Sequence, residues 1–195
     1  MKYFTLVLAI MLLFICGCRE NPSSEISDLL DRVEKLNISR QGYTLGKQLT
    51  KAQSEIAKQD PVALDNPGRY KFRDDNIHVV AHKKTDRILI VYEQHDNVSR
   101  KQAQDIVGSL FIDFGDPTVF SHDKVIYWAY DHEGNLPREA YQNAKNDKMK
   151  LNLLVTIKLN SSMKLMSPTT GGQTTGSVYY IISSPPVLKL INNEL

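Results

Sequence analysis

Apolar side chains recur at every second position in several stretches of the chain, and this period constrains the fold more than any other feature. Ile77–His82 and Leu151–Asn160 alternate in this way, and Arg87–Glu93 is a similar apolar run. Successive side chains of a β-strand point to opposite faces, so a period of two predicts strands that bury one face. Only four polar residues, Lys83–Asp86, join the runs at 77–82 and 87–93, which predicts a β-hairpin.

Three further stretches are expected to be strands. Lys124–Asp131 carries the only tryptophan of the chain, and Val178–Ser183 ends just before Pro185-Pro186. Val187–Ile191 follows these prolines and is predicted to be a short edge strand, because proline is tolerated at sheet edges. Asp74-Asp75 is interpreted as a solvated turn ahead of the first strand.

Helices are predicted where the apolar spacing changes to that of a helix face. Ser99 and Gln102 form a capping-box pattern, and the apolar residues from there to Phe114 lie three and four positions apart. Gly115 follows at the position where a helix commonly ends. The other predicted helices are Ser24–Leu36, Thr44–Lys58 and Leu136–Lys145.

The order of these elements predicts an α+β fold. N-terminal helices precede a mainly antiparallel sheet of about five strands, in the order β-β-α-β-β-β, with a helix packed on one face. The expected organisation is an N-terminal helical segment over residues 24–66 and an α+β domain over residues 67–195. A mature chain of this length is of ordinary size for one domain.

The first residues of the chain have the composition of a secretory signal peptide. Lys2 is followed by an apolar run from Tyr3 to Cys16, and Gly17 supplies the small residue expected at a cleavage site. As a helix this run would span about 21 Å, which is less than the ~30 Å hydrocarbon core of a bilayer. Residues 1–17 are therefore expected to be a cleaved signal peptide and not a permanent transmembrane anchor.

Both cysteines of the chain lie at the end of this segment. Ile15-Cys16-Gly17-Cys18 resembles the lipobox of bacterial lipoproteins. The resemblance implies a diacylglycerol on the Cys18 thiol, cleavage after Gly17 and acylation of the new amino group. Residues 18–23 would then be the lipidated cysteine and its tether. Arg19 stands where an aspartate favours retention in the inner membrane, so the resemblance implies the outer membrane, facing the periplasm.

The alternative is a signal peptide cut elsewhere, which leaves the cysteines free or bridged. A disulfide between positions 16 and 18 would be strained. If Cys18 is acylated, the mature domain has no free thiol, and cysteine catalysis or zinc binding is excluded.

Charge and motifs exclude several classes of function. The chain has 24 basic and 22 acidic residues, so it has no strong positive field for nucleic acid. No P-loop, dinucleotide fingerprint or nucleophile elbow is present. His78 and His82 are about 13 Å apart along one strand, too far apart to share a metal ion. We expect no cofactor, no metal and no catalytic residue.

The segment 161–176 is the main irregularity between predicted strands. It is rich in serine, threonine and glycine, and it is longer than a usual hairpin loop. Met163, Leu165 and Met166 are apolar within it, and methionine suits adaptable contact surfaces. The loop is either a mobile surface loop or a partner-binding or membrane-contacting loop.

Two other groups are candidate functional residues. Trp128 and Tyr130 are either packed under a helix or exposed as a binding patch. Ser121, His122 and Asp123 offer the side chains of a catalytic triad, but they are adjacent in sequence, whereas triads gather from distant segments.

These observations favour a non-catalytic, lipid-anchored envelope protein. It would bind or scaffold another envelope protein through its sheet face or the loop 161–176, with the membrane contacted by acyl chains on Cys18. One alternative is a periplasmic hydrolase or small-ligand binder that uses the region of His122 and Asp123. Another is an inhibitor or immunity-like protein that inserts the loop into a foreign enzyme.

Overall fold

A computed structural model describes residues 22–146, 152–166 and 175–193. Over these residues the protein is a mixed α and β structure with five helices and a large antiparallel sheet. The helices are α1 (Pro22–Lys35), α2 (Lys51–Gln59), α3 (Arg100–Phe114), α4 (Arg138–Lys145) and α5 (Pro185–Asn193). The strands are β1 (Ser39–Arg40), β2 (Tyr43–Thr44), β3 (Pro61–Val62), β4 (Arg69–Asp74), β5 (Ile77–His82), β6 (Ile88–Ser99), β7 (Val119–Ser121), β8 (Val125–Tyr130), β9 (Val155–Ser161) and β10 (Thr175–Ser183).

The sheet has eight strands in the order β3-β4-β5-β6-β10-β9-β8-β7. Strands β3 to β6 form one run of antiparallel neighbours, and strands β7 to β10 form a second run. The two runs meet in the middle, where β6 pairs antiparallel with β10 and Glu93 lies opposite Tyr180. Strands β1 and β2 form a separate two-stranded hairpin.

The capping box at the start of α3 is confirmed. The Ser99 hydroxyl accepts from the Gln102 backbone N–H, and the Gln102 side chain accepts from the Ser99 backbone N–H. Gly115 ends the helix with φ +72°, a conformation that favours glycine. A second capping box, between Thr50 and Gln53, starts α2 at Lys51. The prediction of a helix from Thr44 was therefore wrong at its start.

The prediction of about five strands was also too low. Strand β4 was missed because charged side chains alternate through it and hide the apolar period. Val187–Ile191 belongs to helix α5 and not to an edge strand. The helix begins at Pro185, and proline is tolerated there because the first backbone N–H groups of a helix have no partner within it. Val187 and Ile191 are buried one helical turn apart.

The main core lies on the face of the sheet that α3 covers. Trp128 is fully buried there, with the ring of Phe111 at 5.7 Å and the ring of Phe114 at 6.3 Å in edge-on contacts. Its indole nitrogen donates to the Gly115 carbonyl oxygen over 2.9 Å. Helix α3 is thereby fixed against β8 at its C-terminal end.

The N-terminal helices belong to the same core as the sheet. Ile26, Leu30 and Val33 of α1 lie in one contiguous hydrophobic cluster with the buried residues of the strands. The backbone of residues 46–49 also bonds to the start of β6, through Gly46 N–H to Ile88 O at 2.8 Å. Residues 24–66 and 67–195 thus share their hydrophobic interior.

Some predictions fall outside the described residues. The signal peptide, the lipobox and Cys18 lie in residues 1–21, Leu151 lies in a second gap, and most of the second half of the loop 161–176 lies in a third. Across the parts of the chain that the structure describes, no helix is both long and apolar enough to cross a membrane.

Candidate functional site

A buried polar cluster lies on the α3 side of the sheet, at the pairing of β6 with β10. Glu93 is 2 % exposed. Its Oε1 accepts from the Tyr180 hydroxyl and from Gln41 Nε2, the latter over 2.7 Å, and its Oε2 accepts from His95 Nε2 over 2.9 Å. A carboxylate this deep is tolerated only when donors replace its water, and these donors do so.

Arg40 joins the cluster from the β1–β2 hairpin. Its Nε donates to the Tyr180 hydroxyl over 2.7 Å and lies 3.4 Å from Glu93 Oε1. Its two terminal nitrogens donate to Asp113 and to Ser109 on α3, the latter over 3.1 Å. All three guanidinium nitrogens are therefore engaged within the protein.

The hydrogen bonds of this cluster hold the β1–β2 hairpin to the sheet. Burial and the hydrogen bond to Glu93 raise the pKa of Tyr180, so the phenol stays neutral and continues to donate. An open cavity of about 380 Å³ adjoins the cluster and is lined partly by Arg40, Gln41 and Asp113. Both Glu93 oxygens already accept hydrogen bonds, so the carboxylate holds the hairpin to the sheet and offers no free base to the cavity.

The opposite face of the sheet carries a second candidate site, which we call the outer sheet face. The strand pairing places one residue from each of five neighbouring strands in a central row. The row consists of Arg73, His78, Tyr92, Ile181 and Lys158. Further residues of the outer sheet face lie on either side of this row on the same strands: Lys71, Val80 and Ile90 on one side, and Gln94, Tyr179 and Asn160 on the other.

These side chains form an apolar and aromatic centre with basic ends. His78 stacks on Tyr92 with ring centroids 4.7 Å apart and an angle of 11° between planes. Tyr179 is 45 % exposed, and Ile181 beside it is partly exposed. Beyond Lys158, Tyr141 of α4 lies against Tyr127 of β8, with centroids 6.0 Å apart. The exposed centre therefore lies over β6 and β10.

The charges nearest His78 are mainly positive. Burial lowers the pKa of His78, and the charges of Lys71 and Arg73 lower it further, while the charge of Asp60 opposes this shift. Arg73 is paired with Asp60 at 3.1 Å. Among the described residues, Lys71 and Lys158 have no carboxylate within salt-bridge distance, so both ammonium groups are available to bind an anion from outside the protein.

Unsatisfied polar atoms concentrate on the same face. In the described part of the chain, three buried side-chain nitrogens have no hydrogen-bond partner: Arg69 Nε, His78 Nδ1 and Asn160 Nδ2. Arg69 precedes Lys71 and Arg73 on the same side of β4 by strand alternation. Buried polar groups normally have partners, so these three nitrogens are exceptions, although another nitrogen of Arg69, Nη2, donates to Asn192 of α5.

The loop candidates are divided by the structure. Met163 and Leu165 are buried, and the Leu165 backbone N–H donates to the Asp123 carbonyl oxygen over 2.9 Å. Gln104 of α3 donates to the Leu165 carbonyl oxygen over 2.9 Å. Met166 is 53 % exposed. The first part of the loop 161–176 is therefore packed against the domain, and of the three apolar side chains only Met166 is exposed.

The aromatic pair and the triad-like pair are placed as follows. Trp128 and Tyr130 are buried, and the Tyr130 hydroxyl donates to the Phe114 carbonyl oxygen over 3.1 Å, so both rings pack under a helix, the first of the two alternatives. His122 and Asp123 form the β7–β8 turn with φ of +51° and +56°. Asp123 Oδ1 accepts from the Met166 N–H over 2.7 Å, which ties the turn to the loop.

Sequence reasoning missed both the buried cluster and the composition of the outer sheet face. The alternation of β5 places His78 on the face opposite Ile77 and Val79, which is a usable sequence signal for one residue of this surface. No comparable signal marked Glu93, because its donors come from distant parts of the chain. The described residues contain no group of three or more potential metal-ligating side chains.

Comparison with known proteins gives no match by sequence or by structure. No protein-family model matches the chain, and no curated protein or solved structure matches it significantly. Any functional conclusion must therefore come from the chemistry of the two sites and of the N-terminus.

Proposed function

We propose that the protein is a lipid-anchored component of the bacterial cell envelope that binds another envelope protein through the outer sheet face. The carrying observation is the partly exposed apolar centre around Tyr179 and Ile181, flanked by Lys71 and Lys158, whose amines have no salt-bridge partner within the described parts of the chain. Protein interfaces combine an aromatic and aliphatic centre with a polar rim, and this face has that composition.

The lipobox-like sequence supports an anchored role at a membrane surface. Four residue steps separate Cys18 from Pro22, the first residue of α1, and they span at most about 14 Å. Two or three acyl chains hold a protein to a bilayer far more firmly than one, since each buried methylene adds about 0.8 kcal/mol. With so short a tether, the partner would be a protein at or near the same membrane, and an outer-membrane location facing the periplasm remains our proposal.

Two carboxylates of the candidate sites already accept hydrogen bonds within the protein. Asp123, the acidic residue of the triad-like pattern, accepts a backbone hydrogen bond from the loop, and Glu93 of the buried cluster accepts from several donors. These contacts favour a binding role over hydrolysis.

Site-specific photocrosslinking tests the binding role. A benzoylphenylalanine placed at Tyr179 in the anchored protein is expected to crosslink one discrete envelope protein. The matched control places the same group at Ile112, which is 86 % exposed on α3, away from the outer sheet face. Equal crosslinking from both positions, or none from position 179, would contradict the proposed binding surface.

The anchor is tested separately by mass spectrometry of the wild type and of Cys18→Ala. We expect the wild type to carry acyl chains on the new N-terminal residue and to fractionate with membranes. Cys18→Ala should lack both the added mass and the membrane association. Wild-type protein that carries no acyl chain would end the lipoprotein proposal.

A further inference from the structure

We propose that the outer sheet face binds an extended, acidic segment of its partner, with one carboxylate near Lys71, another near Lys158 and an apolar side chain between them. This inference rests on the proposed function and adds the chemistry of the bound segment. Its basis is the spacing of the two lysines, the nature of the centre between them and the small area of the surface.

The two lysines lie at opposite ends of the face. Lys71 is on β4 and Lys158 is on β9, with β5, β6 and β10 between them. Neighbouring strands are about 4.8 Å apart, so four such intervals and an offset of two residues separate the lysine backbones by roughly 20 Å. An extended chain rises about 3.3 Å per residue and covers this distance in about six residues. Carboxylates about six positions apart would therefore reach both amines.

The surface between the lysines fits an apolar side chain. Tyr92 and Ile181 lie opposite each other in the central row, and Tyr179 is exposed beside them. An apolar side chain in the middle of the segment would contact these three residues.

The area of the face favours a segment over a folded domain. Three rows of side chains, each about 20 Å long and roughly 7 Å from the next, cover a few hundred Å². A standard interface between folded proteins buries about 800 Å² on each partner. A short extended segment matches the smaller area.

The arrangement also favours protein over single-stranded nucleic acid. Nucleic acid requires free aromatic faces for base stacking and a continuous line of cations. One face of Tyr92 is covered by His78, and Arg73 is neutralised by Asp60. The face therefore offers two separated positive charges and one exposed tyrosine.

Fluorescence polarisation with designed heptapeptides on the detergent-solubilised full-length protein tests the proposal. The probe has glutamate at both ends, leucine in the centre and glycine or serine elsewhere. Binding is expected to weaken with rising salt, because exposed charges are screened. Lys71→Glu combined with Lys158→Glu should weaken binding at least about tenfold. The control, Lys101→Glu combined with Lys189→Glu, makes the same charge change at exposed helix positions and should bind like the wild type.

Three results would overturn the inference: equal binding of a probe with lysine at both ends, unchanged binding by the double variant of the face, or tighter lysine-dependent binding of an oligothymidylate. Circular dichroism checks that each variant is folded, and the salt dependence of the wild type tests the charge argument without any variant. If the crosslink at position 179 persists while the face variant binds the probe normally, the inference fails and the proposed function stands. If the protein with benzoylphenylalanine at position 179 and no other change gives no crosslink, the proposed function itself is contradicted.

Discussion

Glu93 is an acidic side chain in the middle of an otherwise apolar strand face, and its position depends on residues far away in sequence. Tyr180 is 87 positions away, and Gln41 is 52 positions away. Strand alternation predicted that residues near Glu93 form a strand, but it gave no reason to bury a carboxylate. The carboxylate can be buried because the β1–β2 hairpin and β10 bring hydrogen-bond donors to it. No local sequence pattern indicates that these distant segments meet.

Removal of the Tyr180 hydroxyl should measure the strength of this cluster. In Tyr180→Phe, Glu93 loses one donor and Arg40 loses one acceptor, while the ring remains in place. A buried polar group left without its partner costs about 1 to 3 kcal/mol, so the free energy of unfolding should fall by that amount. Urea denaturation followed by tyrosine and tryptophan fluorescence gives the value.

The adjacent tyrosine provides the control for that experiment. Tyr179→Phe removes a hydroxyl from an exposed side chain of the same strand and should change the unfolding free energy by less than about 0.5 kcal/mol. Similar losses in the two variants would show that the cluster contributes nothing special to stability.

At the scale of elements, predictions succeeded where the signal is local. Helix α3 was predicted because Ser99, Gln102 and Gly115 mark its two ends. Val187–Ile191, part of helix α5, was predicted to be a strand. Five residues make little more than one helical turn, so the helical period of about 3.6 and the strand period of two cannot be distinguished in so short a segment. The start of α2 was misplaced because Leu45 and Leu49 are buried by tertiary packing and lie four positions apart, which continues the helical spacing of Ala52 and Ile56.

The packing of α1 against residues 45–49 depends on one glycine. Gly46 has φ +81°, and an added Cβ would lie 2.8 Å from Leu30 O and 2.9 Å from Glu34 N, both backbone atoms of α1. Gly46→Ala should therefore destabilise the protein by about 2 to 4 kcal/mol, from the backbone conformation and from overpacking together. Chemical denaturation measures the loss.

Gly42 separates these two contributions. It has the same φ of +81°, but an added Cβ would meet nothing within 4 Å. Gly42→Ala should cost only about 1 kcal/mol, the conformational part alone. If both alanine variants lose the same stability, close packing of α1 on Gly46 is not the cause.

At the scale of the whole molecule, the fold class was predictable from local patterns. Alternating strands and helix caps indicated helices packed on an antiparallel sheet. Leu30, Tyr43 and Leu45 lie in the same hydrophobic core as the strands. The outer sheet face could not be predicted, because its rows exist only after the strand order β6-β10-β9 is known.

A fragment of residues 67–195 should therefore not fold cooperatively. It would lack the α1 side chains that fill the core and Arg40, which pairs with Glu93. Its near-ultraviolet circular dichroism should be weak, and it should show no sharp thermal transition. The control is a fragment that starts at residue 22, which keeps these contacts. A cooperative transition in the shorter fragment would contradict the single core.

The pairing of β6 with β10 in the middle of the sheet has a consequence for biogenesis. Among the described strands of the sheet, β10 comes last in chain order, and it lies between β6 and β9. Until it arrives, both half-sheets present unsatisfied inner edges, which are sites of mispairing between chains. When the chain emerges N-terminus first, the sheet therefore stays open between β6 and β9. It closes only when β10 is added.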